Sequence, residues 1–450
     1  MTTSGSSGAP QAPDLVSAGA AALFSRGVVI AAGLINSLLL PLVLDQKGVG
    51  QYFLSQFLIA GFAIVAQLGL TYSIPATVTA VVARNDLGTA RRLSATILIF
   101  SACAGAALSV ALVLAAPLIL DLVDPAERST WMTALLLIAV IAPVSALAAL
   151  LVELLRALHA IRAAANLAAF ASIFAASYAG GVLVAGARAT LSGSLIAVLV
   201  GSVTCVGLGV WILGKRMASW PASPPESVRT ATVIRGTLPN LFTTLILFGL
   251  SNLDLIILVQ LGQMHDVAQY GLALRLTALI VVPLAILNSA AAPLAVQARS
   301  TADNATVDNI LTRVAVGGTV AAAVLYLGFA LVGYGFIAVW NQDYENSYWL
   351  TLVLGLGNVL HAFGGSAGVL LMIWGDQRWA LLLTLATGVL AVVLCLVGYW
   401  LGGIFGLAFA AAFANAFQVA CFVCRVRKRF ALDPSLLRRW QRDSLKGDKT

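Results

Sequence analysis

Twelve long apolar runs divide this chain and constrain its fold more than any other feature. Each is roughly 20 to 25 residues long, which is the length of helix needed to cross the hydrocarbon core of a bilayer. A spanning segment must satisfy its backbone hydrogen bonds internally, so runs of this length predict helices rather than barrel strands. The runs lie at about 15–44, 51–75, 93–117, 132–155, 164–187, 190–214, 237–261, 268–295, 312–338, 348–373, 378–401 and 403–424. We therefore expect an all-α polytopic membrane protein with 12 transmembrane helices.

The composition excludes a soluble enzyme. Hydrophobic residues make up 60% of the chain and charged residues only 10%, whereas a soluble domain carries about 25% charged residues. Residues 1–14 are polar and lack the basic segment of a cleaved signal, so they predict a short disordered tail. The five cysteines show no metal-binding or disulfide spacing. We expect no metal and no catalytic residues.

The distribution of lysine and arginine predicts the orientation in the membrane. Of the 26 Lys and Arg residues, 21 fall in the connections and tail on one side, three fall on the other, and Arg26 and Arg275 lie inside predicted helices. Basic loops stay in the cytoplasm, so both termini are expected there. Glu153, Arg156 and His159 are interpreted as anchors at the inner interface. The net charge of +8 then indicates contact with anionic membrane lipids and no nucleic acid.

A repeat relates the two halves of the chain. Gln51-Tyr52 recurs as Gln269-Tyr270, and the same offset of 218 residues brings Pro75 onto Pro293 without a gap from residue 23 to residue 80. Each half has six runs, so both halves enter the membrane in the same direction as parallel repeats. The predicted organisation is a disordered tail at 1–14, a first lobe at 15–214, a cytoplasmic linker at 215–236, a second lobe at 237–425 and a basic cytoplasmic tail at 426–450.

Two opposite charges, Asp254 and Arg275, are predicted at membrane depth in adjacent helices. Counted from the connection between those helices, both lie about 12 Å below the outer edge, so antiparallel packing would bring them side by side. Their counterparts in the first half are Asn36 and Phe57, which are uncharged. An ion pair that pins two helices and a cavity-lining pair that binds an ion or a substrate group both fit this pattern. Asn36 is a candidate cavity residue for the same reason.

Further polar residues are candidates for a wet interior. Arg26 shares a helix face with Gly33 and Ser37, and either snorkels to the inner interface or gives a cavity positive charge. His361 lies one turn from Asn358 near the middle of its helix, where it could carry a coupling proton or form a neutral packing contact.

A polar stripe is predicted along the seventh span. It comprises Asn240, Thr243, Ser251 and Asp254, which fall on one face of a straight helix. Such a stripe suggests either a wet interior face or hydrogen bonding between helices.

Four segments carry a resemblance to a known family. They are "GVGQYFL" at the second helix, "ARNDLGTARRL" in the loop after it, "VAQYGLALRL" at the eighth helix and "FIAVWNQDYENSYWLTLVLGLGN" at the junction before the tenth. With twelve spans in two six-helix lobes, the whole chain resembles the polysaccharide-repeat flippases (Wzx-type) of the multidrug/oligosaccharidyl-lipid/polysaccharide (MOP) exporter superfamily, which includes the MATE transporters.

The resemblance implies a function and a set of site residues. Members move an undecaprenyl-diphosphate-linked oligosaccharide repeat unit across the inner membrane for assembly of O-antigen, capsule or exopolysaccharide. It implies alternating access, a cationic cavity and H⁺ or Na⁺ coupling, with a polysaccharide polymerase or chain-length regulator as partner. Substrate contact is carried over to Arg26 and Arg275, alongside the cavity candidates named above. The candidate substrate-binding residues are Arg26, Asn36, Ser37, Asp254 and Arg275, and the candidates for ion coupling are Asp254, Asn358 and His361.

Three other functions are possible for a chain of this class, and a sequence feature argues against each. An ion-coupled multidrug (MATE-like) antiporter would want a carboxylate in its first lobe, where this chain has Arg26. A major-facilitator transporter has a characteristic basic loop after its second helix, which "ARNDLGTARR" does not match. A membrane-embedded polysaccharide polymerase or ligase usually carries a large outer loop, which the predicted topology lacks. A transporter rather than an enzyme is therefore expected.

Overall fold

A computed structural model describes residues 15–121, 125–158, 160–221, 230–300, 304–374, 376–430 and 432–436. These residues are almost entirely helical, as long apolar runs without strand-like alternation require. The helices are α1 Leu15–Val43, α2 Gln46–Ala66, α3 Leu70–Ala83, α4 Leu87–Leu120, α5 Arg128–Ala157, α6 Ile161–Ala168, α7 Phe170–Val184, α8 Leu191–Met217, α9 Thr230–Ser251, α10 Leu253–Leu261, α11 Met264–Ser300, α12 Asn304–Trp340, α13 Glu345–Phe363, α14 Ala367–Ile373 and α15 Gln377–Phe430.

All twelve predicted spans coincide with helix, which confirms the fold class. Within the described residues, eight helices are long and apolar enough to cross a membrane, or nine when the bent pair α9–α10 counts as one span. Several predicted spans divide differently from the prediction: α2–α3, α6–α7 and α13–α14 are each broken, and α15 holds two predicted spans. Those two spans meet at Gly402 and Gly403, where the backbone leaves helical geometry.

The break between α2 and α3 depends on residues in the left-handed region. Leu68 and Gly69 have φ angles of 51° and 72°, a conformation that only glycine adopts without strain. A Cβ on Gly69 would lie 2.5 Å from the carbonyl oxygen of Thr237 and 2.6 Å from the amide nitrogen of Leu241. The backbone of α9 therefore packs directly against this break.

The seventh predicted span is bent by 61° between α9 and α10. Asn252 precedes α10 with a non-helical backbone, and Asp254 lies in the first turn of that helix. The bend corrects the prediction of a continuous polar stripe from Asn240 to Asp254, because that stripe assumed one straight helix.

The chain forms two compact units. Unit one comprises Met1–Val43 and Ser55–Phe248, and unit two comprises Leu44–Leu54 and Gly249–Thr450. The lobe boundaries given by the repeat stay a prediction, and the units differ from them by placing residues 44–54 in unit two and residues 237–248 in unit one.

Apolar packing between neighbouring helices holds each unit together. In unit one the largest cluster joins α3, α4, α5, α6 and α8 through buried residues such as Ile74, Ile97, Leu154 and Leu213. In unit two one cluster joins α11, α12 and α13, with Ile280, Leu284 and Ala322 buried at its centre. Membrane helices associate through such close packing and interhelical hydrogen bonds, since lipid tails are as apolar as leucine.

Candidate functional site

A polar network crosses the interior of unit two at membrane depth. The side-chain amide of Asn358 on α13 donates to the carbonyl of Thr277 on α11 at 3.1 Å. Asn415 on α15 donates to Asn358 at 3.4 Å, and its carbonyl oxygen lies 3.1 Å from Nδ1 of His361. Three helices therefore share one chain of hydrogen bonds. Polar groups without water need such partners, because each unsatisfied group in hydrocarbon costs several kcal/mol.

A second polar contact lies about three helix turns further along α11. Ser366, at the break between α13 and α14, donates from its hydroxyl to Oδ1 of Asn288 at 2.7 Å. Asn288 belongs to α11 and Ser366 is 4% exposed. The broken helix is thus tied to a continuous one, which fixes the end of α13 that carries His361.

Asp254 is held by a residue that sequence reasoning did not select. The hydroxyl of Tyr270 on α11 donates to Oδ2 of Asp254 at 2.7 Å, and the backbone amide of Leu255 donates to Oδ1 at 2.9 Å. Because Asp254 lies in the first turn of α10, the free N–H groups of that turn also favour its negative charge. Tyr270 belongs to the Gln-Tyr pair that recurs in both halves of the chain. Its hydroxyl holds the carboxylate of Asp254 in place.

Arg275 does not form the expected pair with Asp254. Among the described residues, no carboxylate lies within ion-pair distance of Arg275, and its side chain is exposed. The reason is geometric: α11 begins at Met264, three residues earlier than expected, and the residue level with Asp254 is Tyr270. Arg275 lies five residues further along α11, or about 7.5 Å along its axis. The two charges are therefore separate features of unit two.

The face of α11 that carries Arg275 differs from the face that packs inside unit two. Leu272 and Leu276 are buried, together with Ile280 and Leu284 in the following turns. Arg275, Ala278 and Ala285 are exposed on the other side. A guanidinium thus projects from a face of small side chains at membrane depth.

The candidates in the first half lie in unit one. Asn36 and Ser37 are buried at 7% and 3% exposure, and the hydroxyl of Ser37 donates to the carbonyl of Gly33 at 2.8 Å. Position 26 falls within α1, but its side chain is outside the described residues. The roles predicted for Arg26, Asn36 and Ser37 stay predictions.

The ends of two hairpins are tied by arginines. In unit two, Arg425 binds Asp376 through two hydrogen bonds of 2.6 and 3.0 Å and lies over the ring of Trp379. The hydrogen bonds from Arg425 lower the pKa of Asp376 below its ordinary value. In unit one, Arg216 instead donates to the backbone carbonyl of Leu158 at 3.1 Å.

Comparison with known proteins shows what this arrangement resembles. No protein-family model matches the chain, and neither does any curated protein. Among solved structures, an inward-facing multidrug resistance MATE family transporter of the MOP superfamily matches with a TM-score of 0.71 and 16% identity, over 91% of this chain and 98% of that one. The chain has the MATE-like fold.

Two further solved structures with this fold differ from each other in the features described for them, a bent form and a binding pocket of reversed polarity. The Vibrio cholerae MATE transporter VcmN in the bent form matches with a TM-score of 0.63 and 15% identity, over 92% of this chain and 95% of that one. A MOP superfamily transporter from Pyrococcus furiosus matches with a TM-score of 0.67 and 13% identity over the same shares, and its binding pocket is described as having a reverse polarity that suggests a different function.

Within this fold, the described site can act in two chemical ways. Arg275 offers a cation for an anionic ligand, because its donors have no described partner. Asp254 and the His361 network offer groups that can hold a proton or a small cation. Sequence reasoning found Asp254, His361 and Asn358 but missed Tyr270, Asn288, Ser366 and Asn415. Asn415 could have been found as a lone amide inside an apolar helix.

Proposed function

We propose that this protein is a flippase that translocates an undecaprenyl-diphosphate-linked oligosaccharide repeat unit across the bacterial inner membrane by alternating access, for assembly of a surface polysaccharide. The MATE-like fold supports a membrane transporter, because the solved structures that share it are transporters seen in inward-facing and outward-facing states. The choice of an anionic, lipid-linked sugar depends on one observation, the exposed guanidinium of Arg275.

The position of Arg275 favours an anionic substrate for physical reasons. A charge at membrane depth costs at least about 2.5 kcal/mol on insertion scales unless it meets water, a counter-charge or a substrate. Arg275 is exposed, and no described carboxylate pairs with it. A diphosphate presents pairs of anionic oxygens that can accept two parallel hydrogen bonds from one guanidinium. We infer that Arg275 contacts the transported substrate, and Arg26, Asn36 and Ser37 stay predicted substrate contacts of the first half.

Asp254, Asn358 and His361 are proposed as the positions that couple transport to an ion, H⁺ or Na⁺. Asp254 already accepts a hydrogen bond from Tyr270, and His361 is linked through Asn415 to Asn358. A proton or cation bound at either place would change the hydrogen bonding between α10, α11, α13 and α15. Coupling of this kind needs only that the two conformations bind the ion with different affinity.

A cation-exchanging multidrug antiporter is the second candidate. Asp254 favours it, because a carboxylate at membrane depth is the group that an organic cation would seek. In this alternative, Asp254 binds the drug or its counter-ion and Arg275 has only a structural role. We propose the flippase because Arg275 is exposed at membrane depth without a described counter-charge, whereas Asp254 is half-buried and already accepts a hydrogen bond from Tyr270.

Deletion of the gene in its bacterium tests the proposal. A flippase deletion should accumulate lipid-linked repeat units on the inner leaflet and lose surface polysaccharide, through loss of supply to the polymerase and chain-length regulator. Drug sensitivity with normal polysaccharide would instead support the antiporter.

Substitution of Arg275 tests the residue that carries the proposal. Arg275→Ala should reduce surface polysaccharide at least about tenfold, the effect of losing one charge-assisted hydrogen-bonded contact, and Arg275→Lys should restore part of it. Arg128, an exposed arginine paired with Asp121 in an outer connection, provides the control Arg128→Gln. Full export by Arg275→Ala at a normal protein level would refute the substrate role.

A further inference from the structure

A groove inside unit one is the feature that the proposed function leaves unused. It has a volume of about 290 Å³ and lies between α3, α5, α7 and α8 and the end of α6. The residues that line it are Thr71, Ser145, Ala148, Ala149, Val152, Glu153, Arg156, Leu167, Ala168, Ala171, Ser202 and Cys205. This volume is at the low end of small-molecule sites and is too small for an oligosaccharide.

The shape of the groove follows from one face of α5. Its lining residues on that helix run from Ser145 to Arg156 with spacings of three and four, which is a single straight stripe. The stripe covers twelve residues, or about 16 Å at the rise of an α-helix. Short side chains leave the space open, above all Ala148 and Ala149 on α5 and Ala171 on α7. The site is therefore long and narrow.

The walls of the groove suit hydrocarbon rather than water. The hydroxyl of Thr71 donates to Gln67 at 2.6 Å, and the hydroxyls of Ser145 and Ser202 lie 3.4 Å from each other. These polar groups have partners within unit one, so they do not need water to satisfy them. Ala148 and Ala171, on different walls, are only half-buried, so side chains do not fill the groove. A hydrocarbon chain can occupy such apolar walls without the loss of a hydrogen bond.

The end of the groove at the last turn of α5 is charged. Glu153 and Arg156 form an ion pair there, and the side chain of Arg156 remains 45% exposed. Arg216 reaches the same helix end through the carbonyl of Leu158, and Arg162 is exposed at the start of α6. His159 lies outside the described residues. Arg156 and Arg216 both lie at this end of α5, and Arg162 follows at the start of α6, so basic residues outnumber the one carboxylate. The charge distribution places this end of α5 in the anionic inner leaflet.

We propose that this groove binds an anionic phospholipid of the inner leaflet, with one acyl chain along α5 and the phosphate at Arg156. The chain replaces contact with bulk lipid by contact with alanine and leucine side chains. The headgroup meets the positive charge at the end of α5. This site is distinct from Arg275 and does not depend on the identity of the transported substrate.

Native mass spectrometry of the purified full-length protein tests the proposal. Dioleoyl phosphatidylglycerol should bind as one saturable copy, dioleoyl phosphatidylcholine should bind at least about fivefold more weakly, and inorganic phosphate should not compete. Ala148→Leu fills the groove and should weaken phosphatidylglycerol binding at least about tenfold, because each excluded methylene is worth about 0.8 kcal/mol. Arg156→Gln should weaken it about fivefold, since one basic residue near the surface is worth about 1 kcal/mol.

Two variants keep the test decisive. Ala107→Leu makes the same change at an exposed position of α4, outside the groove, and should bind phosphatidylglycerol like the parent protein. Ala171→Leu fills the groove from the opposite wall and decides the case should Ala148→Leu fail to fold, as judged by gel filtration and Tm. Unchanged binding by both groove-filling variants, equal binding of the two lipids, or competition by phosphate alone would overturn the proposal.

Discussion

The two halves of the chain repeat one another in sequence but break their helices in different places. In the first half, α1 is continuous and the next span breaks at Leu68 and Gly69. In the second half the seventh span breaks at Asn252, and α11 is continuous. With the offset of 218, Gly69 corresponds to Leu287 inside α11, and Asn252 corresponds to Leu34 inside α1. The shared pattern sets the spans, and a few local residues decide which span bends.

The repeat register extends further than the first two helices. Glu127, Ser129 and Trp131 correspond to Glu345, Ser347 and Trp349, in both halves at a 3₁₀ turn and the start of a long helix. Ten residues further on, the halves diverge. Val140 and Pro143 of α5 stand where α13 has Asn358 and His361. Unit two thus has a hydrogen-bonded network, whereas unit one has an alanine-lined groove.

Substitution of Gly69, at the break between α2 and α3, should lower Tm more than any other change proposed for these breaks and contacts. Gly69→Ala puts a Cβ against the backbone of α9 and forces alanine into the left-handed region, which alone costs on the order of 1–3 kcal/mol. We expect a total loss of roughly 3 kcal/mol or more, measured as a fall in Tm in detergent. Gly249→Ala, in α9 with open space around its Cβ position, is the matched control and should be neutral or slightly stabilising. Equal Tm values for the two variants would show that the break is not fixed by Gly69.

Removal of the hydrogen bond between Asp254 and Tyr270 should cause the next largest fall in Tm. Their first-half counterparts under the offset of 218 are Asn36 and Tyr52, so the carboxylate of Asp254 is present in the second half alone. Tyr270→Phe removes a hydrogen bond to a charged acceptor, which is worth about 1.5–3 kcal/mol. A double-mutant cycle with Asp254→Asn, read by Tm, should give a coupling free energy above 1 kcal/mol. Additive effects would show that the two side chains act independently, and Tyr326→Phe, at a half-buried tyrosine of α12, controls for loss of a hydroxyl.

Replacing Asn358 by valine, the residue at the equivalent position 140 of the first half, should lower Tm less than the two changes above. Asn358→Val gives α13 a residue of the kind that α5 has at the equivalent position, and removes the bonds to Thr277 and Asn415. Hydrogen bonds between membrane helices average about 0.6 kcal/mol, so the expected loss is about 1 kcal/mol. Leu360→Val, at an exposed position of the same helix, should change Tm less. A parent-like Tm for Asn358→Val would mean that valine packing replaces the network at no cost.

Most of the fold could be predicted from the sequence, because each span must bury an apolar segment long enough to cross the bilayer. The breaks could not be predicted from hydropathy. The sequence does not distinguish Gly69 from the other glycines. Its positive φ angle and the close approach of α9 identify it as the residue that permits the break. The same limit applies to the site. Counting residues from the connection placed Asp254 level with Arg275, but the earlier start of α11 puts Tyr270 there. The predicted depth was wrong by five residues, or about 7.5 Å along α11, and a hydrogen bond requires a more accurate placement than that.

The smallest expected difference is in how the contacts of Arg425 and Arg216 respond to pH. Because Arg425 depresses the pKa of Asp376, the folded state binds that proton less readily than the unfolded chain. The contribution of this pair is therefore complete above the unfolded pKa of about 4 and is lost as pH falls through the lower folded pKa. Arg216 donates to a carbonyl, which does not titrate. Asp376→Asn should lower Tm slightly at pH 7, and its difference from the parent should shrink below about pH 4, whereas the effect of Arg216→Gln should be the same at both pH values. If the two substitutions followed one pH profile, the Arg425 pair would contribute no more than a neutral hydrogen bond.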